Sequence, residues 1–267
     1  MSAMKKLMLI VYILPTINFA YNTSEKTRAN EIMQLSKYDG KYHPKLTIHE
    51  VNNKQGKRNV YQNEYGVVIL ITNQNLVKSL HKANELAYQN PELRPITTPH
   101  ITIVQGVYKR DKIIQLKKAV KAIAEKTFPY VVTMQNSFTK GGGRNTFIEV
   151  SDGKYFFDRL TTYMTNTVQP DAPMKQTLDD IKDGIADLKE MHDGGAWRDF
   201  NLPYNNNNPH ITVVYGKNGH SLLSKLNRII KLSSLSFNAQ AISIYQIDEV
   251  GNLYGRPIYQ ANFNLKP

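Results

Sequence analysis

Residues 99–106 read PHITIVQG, and residues 209–216 read PHITVVYG. Six of the eight letters are identical, and the fifth exchanges one β-branched aliphatic for another. Each run reads as a strand opened by proline, which has no N–H to give a ladder and is tolerated as a strand's first residue. Strand side chains alternate between faces. His100, Thr102 and Val104 are therefore expected on one face, with Ile101 and Ile103 on the other. The second copy repeats the division, His210 and Thr212 against Ile211 and Val213. The apolar set can anchor each strand in a core while an imidazole and a hydroxyl look outward together. A lone strand histidine is most often a hydrogen-bonded structural residue. Two copies in one setting point instead to a duplicated fold with a shared cleft.

The surrounding elements support a duplication. Residues 65–72, YGVVILIT, form a continuous β-branched run and read as a buried strand. Residues 75–89 carry helical spacing at Leu76, Leu80, Ala83 and Leu86 and are stopped by Asn90 and Pro91. After the first octapeptide, residues 111–128 read as a basic amphipathic helix with Ile113, Ile114, Leu116, Val120 and Ile123 on its inner stripe. YVVTMQNSF and TFIEVSD then read as two strands about a turn at Gly141, Gly142 and Gly143. In the second half, helices are expected at 155–167, 174–191 and 220–231. Strands are expected at about 236–248 and 256–265, with Gly251 and Gly255 in the turn between them. The expectation is an α+β protein of two related lobes with the motif strands facing each other. Residues 61–267 form the bilobal domain, with lobes at roughly 61–150 and 151–267.

Composition bounds the function. The chain has 267 residues and 41% hydrophobic content, enough for a sizeable core. Thirty-four Lys and Arg against 22 Asp and Glu give a formal net charge of +12, which favours an anionic partner, nucleic acid among them. Cysteine is absent, which removes disulfides, thiolate catalysis and Cys-type zinc sites. Residues 1–20 carry a short basic start, an apolar run and a small residue at Ala20, the layout of a cleaved secretory signal peptide. A secreted or periplasmic location follows as an expectation, with 21–60 as an N-terminal extension and no stable membrane partner after cleavage.

Two imidazoles across a cleft suit general acid–base work, one taking a proton while the other gives one. The threonine hydroxyls beside them can donate to phosphate oxygens. This pair of His-x-Thr-x strands, about a hundred residues apart, resembles the 2H phosphoesterase superfamily. The strand and helix order over residues 60–265 agrees, and so does the strand–Gly-turn–strand segment NSFTKGGGRNTFIEV. The superfamily includes 2′-5′ RNA ligase-like proteins and cyclic nucleotide phosphodiesterases. The resemblance implies His100 and His210 as general base and acid, Thr102 and Thr212 as phosphate ligands, and two antiparallel sheets with flanking helices about a central groove. The leader-like N-terminus and the 170–208 insertion depart from the small ligase-like members and bear on the substrate.

Neither a cofactor nor a metal is expected: His43, His49, His81, His192 and His220 show no i, i+4 pair or carboxylate–histidine cluster. Histidine-triad hydrolases need alternating histidines in one strand, where this chain has Thr102 and Thr212. Gly141–Gly143 lacks the spacing and Lys-Ser/Thr of a phosphate-binding loop. The loop before the second motif offers Trp197, Phe200 and Tyr204 as candidate substrate contacts. Tyr215 falls on the face opposite His210 by parity, unless a bulge redirects it, and Lys217, past Gly216 at the strand's end, is a further candidate contact. The leading expectation is a monomeric, metal-independent phosphodiesterase acting on RNA or a nucleotide-derived phosphodiester: a 2′,3′-cyclic phosphate, a 2′-5′ linkage or a cyclic oligonucleotide. The alternatives are a non-catalytic nucleotide- or RNA-binding module of the same fold, and a ligase running the chemistry in reverse.

Overall fold

The computed structural model describes residues 49–53, 56–90, 93–96, 98–140, 145–171, 208–216, 219–232, 235–248 and 251–264. The strands are β1 (His49–Asn53), β2 (Gly56–Leu70), β3 (Leu93–Pro95), β4 (His100–Val107), β5 (Tyr130–Met134), β6 (Thr139–Lys140), β7 (Asn145–Asp152), β8 (His210–Gly216), β9 (Ser236–Ala239), β10 (Ala241–Asp248) and β11 (Leu253–Asn262). The helices are α1 (Gln74–Ala87), α2 (Arg110–Glu125), α3 (Lys154–Thr167) and α4 (Leu223–Ile229). Every strand pairing is antiparallel. The fold is α+β, as the sequence indicates.

The sheet order is β11-β10-β2-β4-β8-β7-β5-β9, with β1 on β2, β3 on β8 and β6 on β7. Two half-sheets meet where β4 joins β8, through the single pair Ile101 and Ile211. Each half carries one octapeptide at its inner edge, but the halves are not contiguous in sequence. β2-α1-β4-α2 leads to β5, which pairs with β7 of the other half. β7-α3-β8-α4 leads by way of β9 to β10, which pairs with β2. Each repeat thus gives a strand to its partner's sheet, and the pairing runs across the lobe boundary expected near 150. The strand expected over 236–248 also divides. It breaks at Gln240, β9 completing the edge beside β5 while β10 crosses to β2. Gly255 lies inside β11 at a register irregularity, and the turn itself closes through Gly251 N–H to the Asp248 carbonyl at 2.9 Å.

The helices bury one stripe each. Leu76, Leu80, Ala83 and Ala87 of α1 follow helical spacing, and the Asn73 side chain caps the helix by accepting from the N–H groups of Asn75 and Leu76. Leu116, Ala119, Val120 and Ile123 of α2, with Phe157, Leu160 and Met164 of α3, join the same core as Ile101, Ile103, Ile211 and Val213. Val68 and Phe147 are buried yet stand outside that cluster, on the opposite face of the sheet. The histidines of both motifs belong to that second face. Among the described residues no helix is long and apolar enough to cross a membrane.

Candidate active site

The Ile101–Ile211 pair joins equivalent positions of the two octapeptides. An antiparallel pair of equivalent residues has a local two-fold axis running through it. His100 is thereby set beside Thr212 and Thr102 beside His210, all four on the face away from the helices. The neighbouring strands obey the same two-fold. Leu70, Ile69 and Val68 of β2 oppose His100, Ile101 and Thr102. Glu149, Ile148 and Phe147 of β7 oppose His210, Ile211 and Thr212. The carbonyls of Pro99 and Pro209 accept from Ile71 N–H at 3.2 Å and Val150 N–H at 2.9 Å, which fixes both strand starts.

Each register then slips by one residue at the same place. Val104 pairs with Val67, adjacent to the Val68–Thr102 pair, so Ile103 is extra. Val214 pairs with Thr146, adjacent to the Phe147–Thr212 pair, so Val213 is extra. Such a bulge reverses the alternation beyond it and re-aims the following side chains. Two expectations change as a result. Val104 turns away from the histidine face into the core, beside Ile103. Tyr215 turns onto the histidine face, as does its counterpart Gln105, which opposes Gly66. The carbonyls of the extra residues are satisfied from outside the main ladders: Thr161 Oγ1 donates to Ile103 O at 3.3 Å, and Ile96 N–H donates to Val213 O at 2.9 Å.

Both imidazoles are held identically. His100 Nδ1 lies 2.7 Å from Thr98 O, and His210 Nδ1 lies 2.7 Å from Asn208 O. A carbonyl only accepts, so the proton of each neutral ring is on Nδ1 and the lone pair on Nε2. Burial lowers the pKa of His100 to about 4, with the nearby charge of His210 acting in the same direction against the Thr98 hydrogen bond. Burial also lowers that of His210, opposed by the Asn208 hydrogen bond and by the Glu149 carboxylate. Glu149 is fixed at both oxygens, by Asn208 Nδ2 at 3.1 Å and Gln135 Nε2 at 3.0 Å. The Phe147 ring sits 4.6 Å from the His210 ring.

His100, Thr102, His210 and Thr212 are therefore one cluster, and Tyr215 lies on its face through the bulge. In register with Tyr215, on either side, stand Arg94 of β3 and Asn145 of β7. Trp197, Phe200, Tyr204 and Lys217 lie outside the described residues, as do the leader, the 174–191 helix and the Gly141–Gly143 turn. Glu149, Phe147, Gln105 and Arg94 were not singled out from the sequence. Alternation in TFIEVSD groups Phe147 with Glu149, but only the register shows which strand they face. Among the described residues no three His, Asp or Glu side chains gather as a metal site.

No family model and no curated protein matches the chain. Solved structures similar to it include TT0787 of Thermus thermophilus, at 12% identity and TM-score 0.47 over 76% of this chain and all of that one. E. coli LigT complexed with 3′-AMP is similar at 11% identity and TM-score 0.47, over 75% of this chain and 97% of LigT. Kluyveromyces marxianus Usb1 with uridine monophosphate is similar at 10% identity and TM-score 0.40, over 76% and 99% of the two chains.

Proposed function

We propose that the chain is a phosphodiesterase that cleaves an RNA-type phosphodiester between two histidines without a metal. The observation that carries this reading is the Ile101–Ile211 pair, which sets two Nδ1-anchored imidazoles and two threonine hydroxyls about one axis. A phosphate on that axis meets a hydroxyl donor from Thr102 and Thr212 and an Nε2 from each side. One imidazole takes a proton from water or a ribose hydroxyl as that oxygen bonds to phosphorus. The other protonates the departing ribose oxygen as its bond to phosphorus breaks. The hydroxyls donate to the phosphoryl oxygens as negative charge builds on them.

The substrate classes that suit this face are a 2′,3′-cyclic phosphate, a 2′-5′ linkage and a cyclic oligonucleotide. The net charge of +12 favours such polyanions, and Tyr215 and Gln105 offer a ring and an amide to the groups flanking the phosphate. The leader-like residues 1–20 extend the proposal to action outside the cytoplasm. The test is incubation of the purified protein, with EDTA, against 2′,3′-cyclic nucleotides, 2′-5′ oligoadenylates and cyclic dinucleotides. Turnover in chelator that falls at least about 100-fold in His100→Ala and in His210→Ala is expected. Undiminished turnover in either variant sinks the proposal.

A further inference from the structure

The local two-fold gives every neighbour of His100 a counterpart beside His210, and on the flanking strands the counterparts opposite the histidine and opposite the threonine differ in chemistry. Opposite His100 stands Leu70; opposite His210 stands Glu149. Opposite Thr102 stands Val68; opposite Thr212 stands Phe147, whose ring lies 4.6 Å from that of His210 at an interplanar angle of 38°. One imidazole has an aliphatic setting. The other has a carboxylate and an aromatic ring, both of which favour a cation.

The carboxylate is also tied to the histidine it serves. Asn208 donates its side-chain N–H to Glu149 Oε1 at 3.1 Å, while its backbone carbonyl accepts from His210 Nδ1 at 2.7 Å. Gln135 holds the other carboxylate oxygen at 3.0 Å, and its own N–H donates to the Glu149 carbonyl at 2.8 Å. A shift of Glu149 therefore strains the residue that orients His210.

We infer that Glu149 is a positioning residue that makes His210 the proton-carrying member of the histidine pair, so that His210 is the general acid and His100 the general base. The words acid and base rest on the phosphodiesterase reading; the place of the proton does not. Among described side chains, the titratable groups facing His210 are Glu149 from β7 and His100 from β4. The Arg94 guanidinium of β3 and the Tyr215 phenol of β8 share the face further along, in register with each other. α1 packs its apolar stripe on the core side of the sheet. When the pair holds one proton, that proton resides where its charge is best compensated, and the neutral partner is left to accept the next. Burial acts on both rings, but the charge of Glu149 offsets it at His210 only, while a charged His210 disfavours a proton on His100.

The test is an NMR pH titration of both imidazoles in the ligand-free protein, run beside pH profiles of kcat/KM. His210 is expected to titrate above His100. Glu149→Gln, close to isosteric, lowers the His210 titration by about one pH unit. It moves the alkaline limb of kcat/KM in the same direction and leaves KM nearly unchanged. Leu70→Glu, the mirror change, raises the His100 titration; if that variant does not fold, Glu149→Gln decides alone. His100 titrating above His210, or an unmoved His210 in Glu149→Gln, overturns the inference even if turnover is found. Imidazoles that titrate as stated in a protein that turns over nothing in the panel leave the proton assignment standing and remove the phosphodiesterase reading.

Discussion

Ile101 and Ile211 hold the same place in their two octapeptides, and they are the pair through which β4 and β8 meet. Both are almost wholly buried in the core beneath the histidine face. A junction of one residue pair has no neighbouring rungs to preserve its register.

Ile101→Ala is expected to cost about 2–5 kcal/mol, the usual range for emptying a buried aliphatic site, read from the urea midpoint. Ile244→Ala in β10, equally buried, should cost a similar amount. The two should separate in turnover at a temperature where both are folded: Ile101→Ala loses kcat and Ile244→Ala keeps it. Equal kcat values would show that the junction does not set the geometry of the histidines.

The pH dependence of kcat/KM should be a bell with its optimum on the acid side. One imidazole of the pair must be neutral and the other charged. The acid limb falls at about 4, where His100 takes up its proton. The alkaline limb falls below the ordinary histidine value of 6.5, because burial lowers His210 as well. A plateau extending through pH 8 would contradict the burial of the pair.

Stability should respond to the same groups. His100 binds its proton near 6.5 in the unfolded chain and at about 4 in the fold. The unfolded chain thus holds more protons between those values, and stability rises with pH there. It is complete above 6.5 and is lost progressively as pH falls toward 4. Thermal melts of His100→Gln should show a flatter acid-side slope than the parent protein.

The bulge at Val213 places Tyr215 on the histidine face, and the matching bulge at Ile103 sends Val104 into the core. Tyr215→Ala should therefore raise KM by roughly tenfold, the scale of a lost stacking platform, with little change in the urea midpoint. Val104→Ala should do the reverse. Unbroken alternation would exchange the two phenotypes, so the pair of variants reads the bulge directly.

Thr161 of α3 is buried and donates to the carbonyl that the first bulge leaves out of its ladder. Thr161→Val keeps the shape and removes the donor. The expected cost is about 1–3 kcal/mol, measured by denaturant unfolding. A neutral substitution would show that another donor serves Ile103.

Much of this protein is legible in its sequence alone. The repeated octapeptide, its proline start and its β-branched residues identified two equivalent strands, and residue chemistry alone picked out His100, Thr102, His210 and Thr212. The helices at Leu76–Leu80 and Leu116–Val120 followed from spacing, since a helix stripe is a local property of the chain. Two features were not local. The face of Tyr215 depends on a bulge, which is a mismatch between two strands and is invisible in either one alone. The partner of β10 depends on a choice between two sheets with the same apolar pattern, and the chain crosses where contiguity suggested it would stay.

The sequence by itself determined that there are two copies of one chemical unit, because identity between distant segments needs no structure to be seen. Only the tertiary structure decided that the copies are unequal. Glu149 and Leu70 lie in unrelated stretches, and they become counterparts when each strand takes its place beside a histidine. Electrostatic environment is a property of neighbours in space, so the difference between His100 and His210 is written in the pairing and not in the motif.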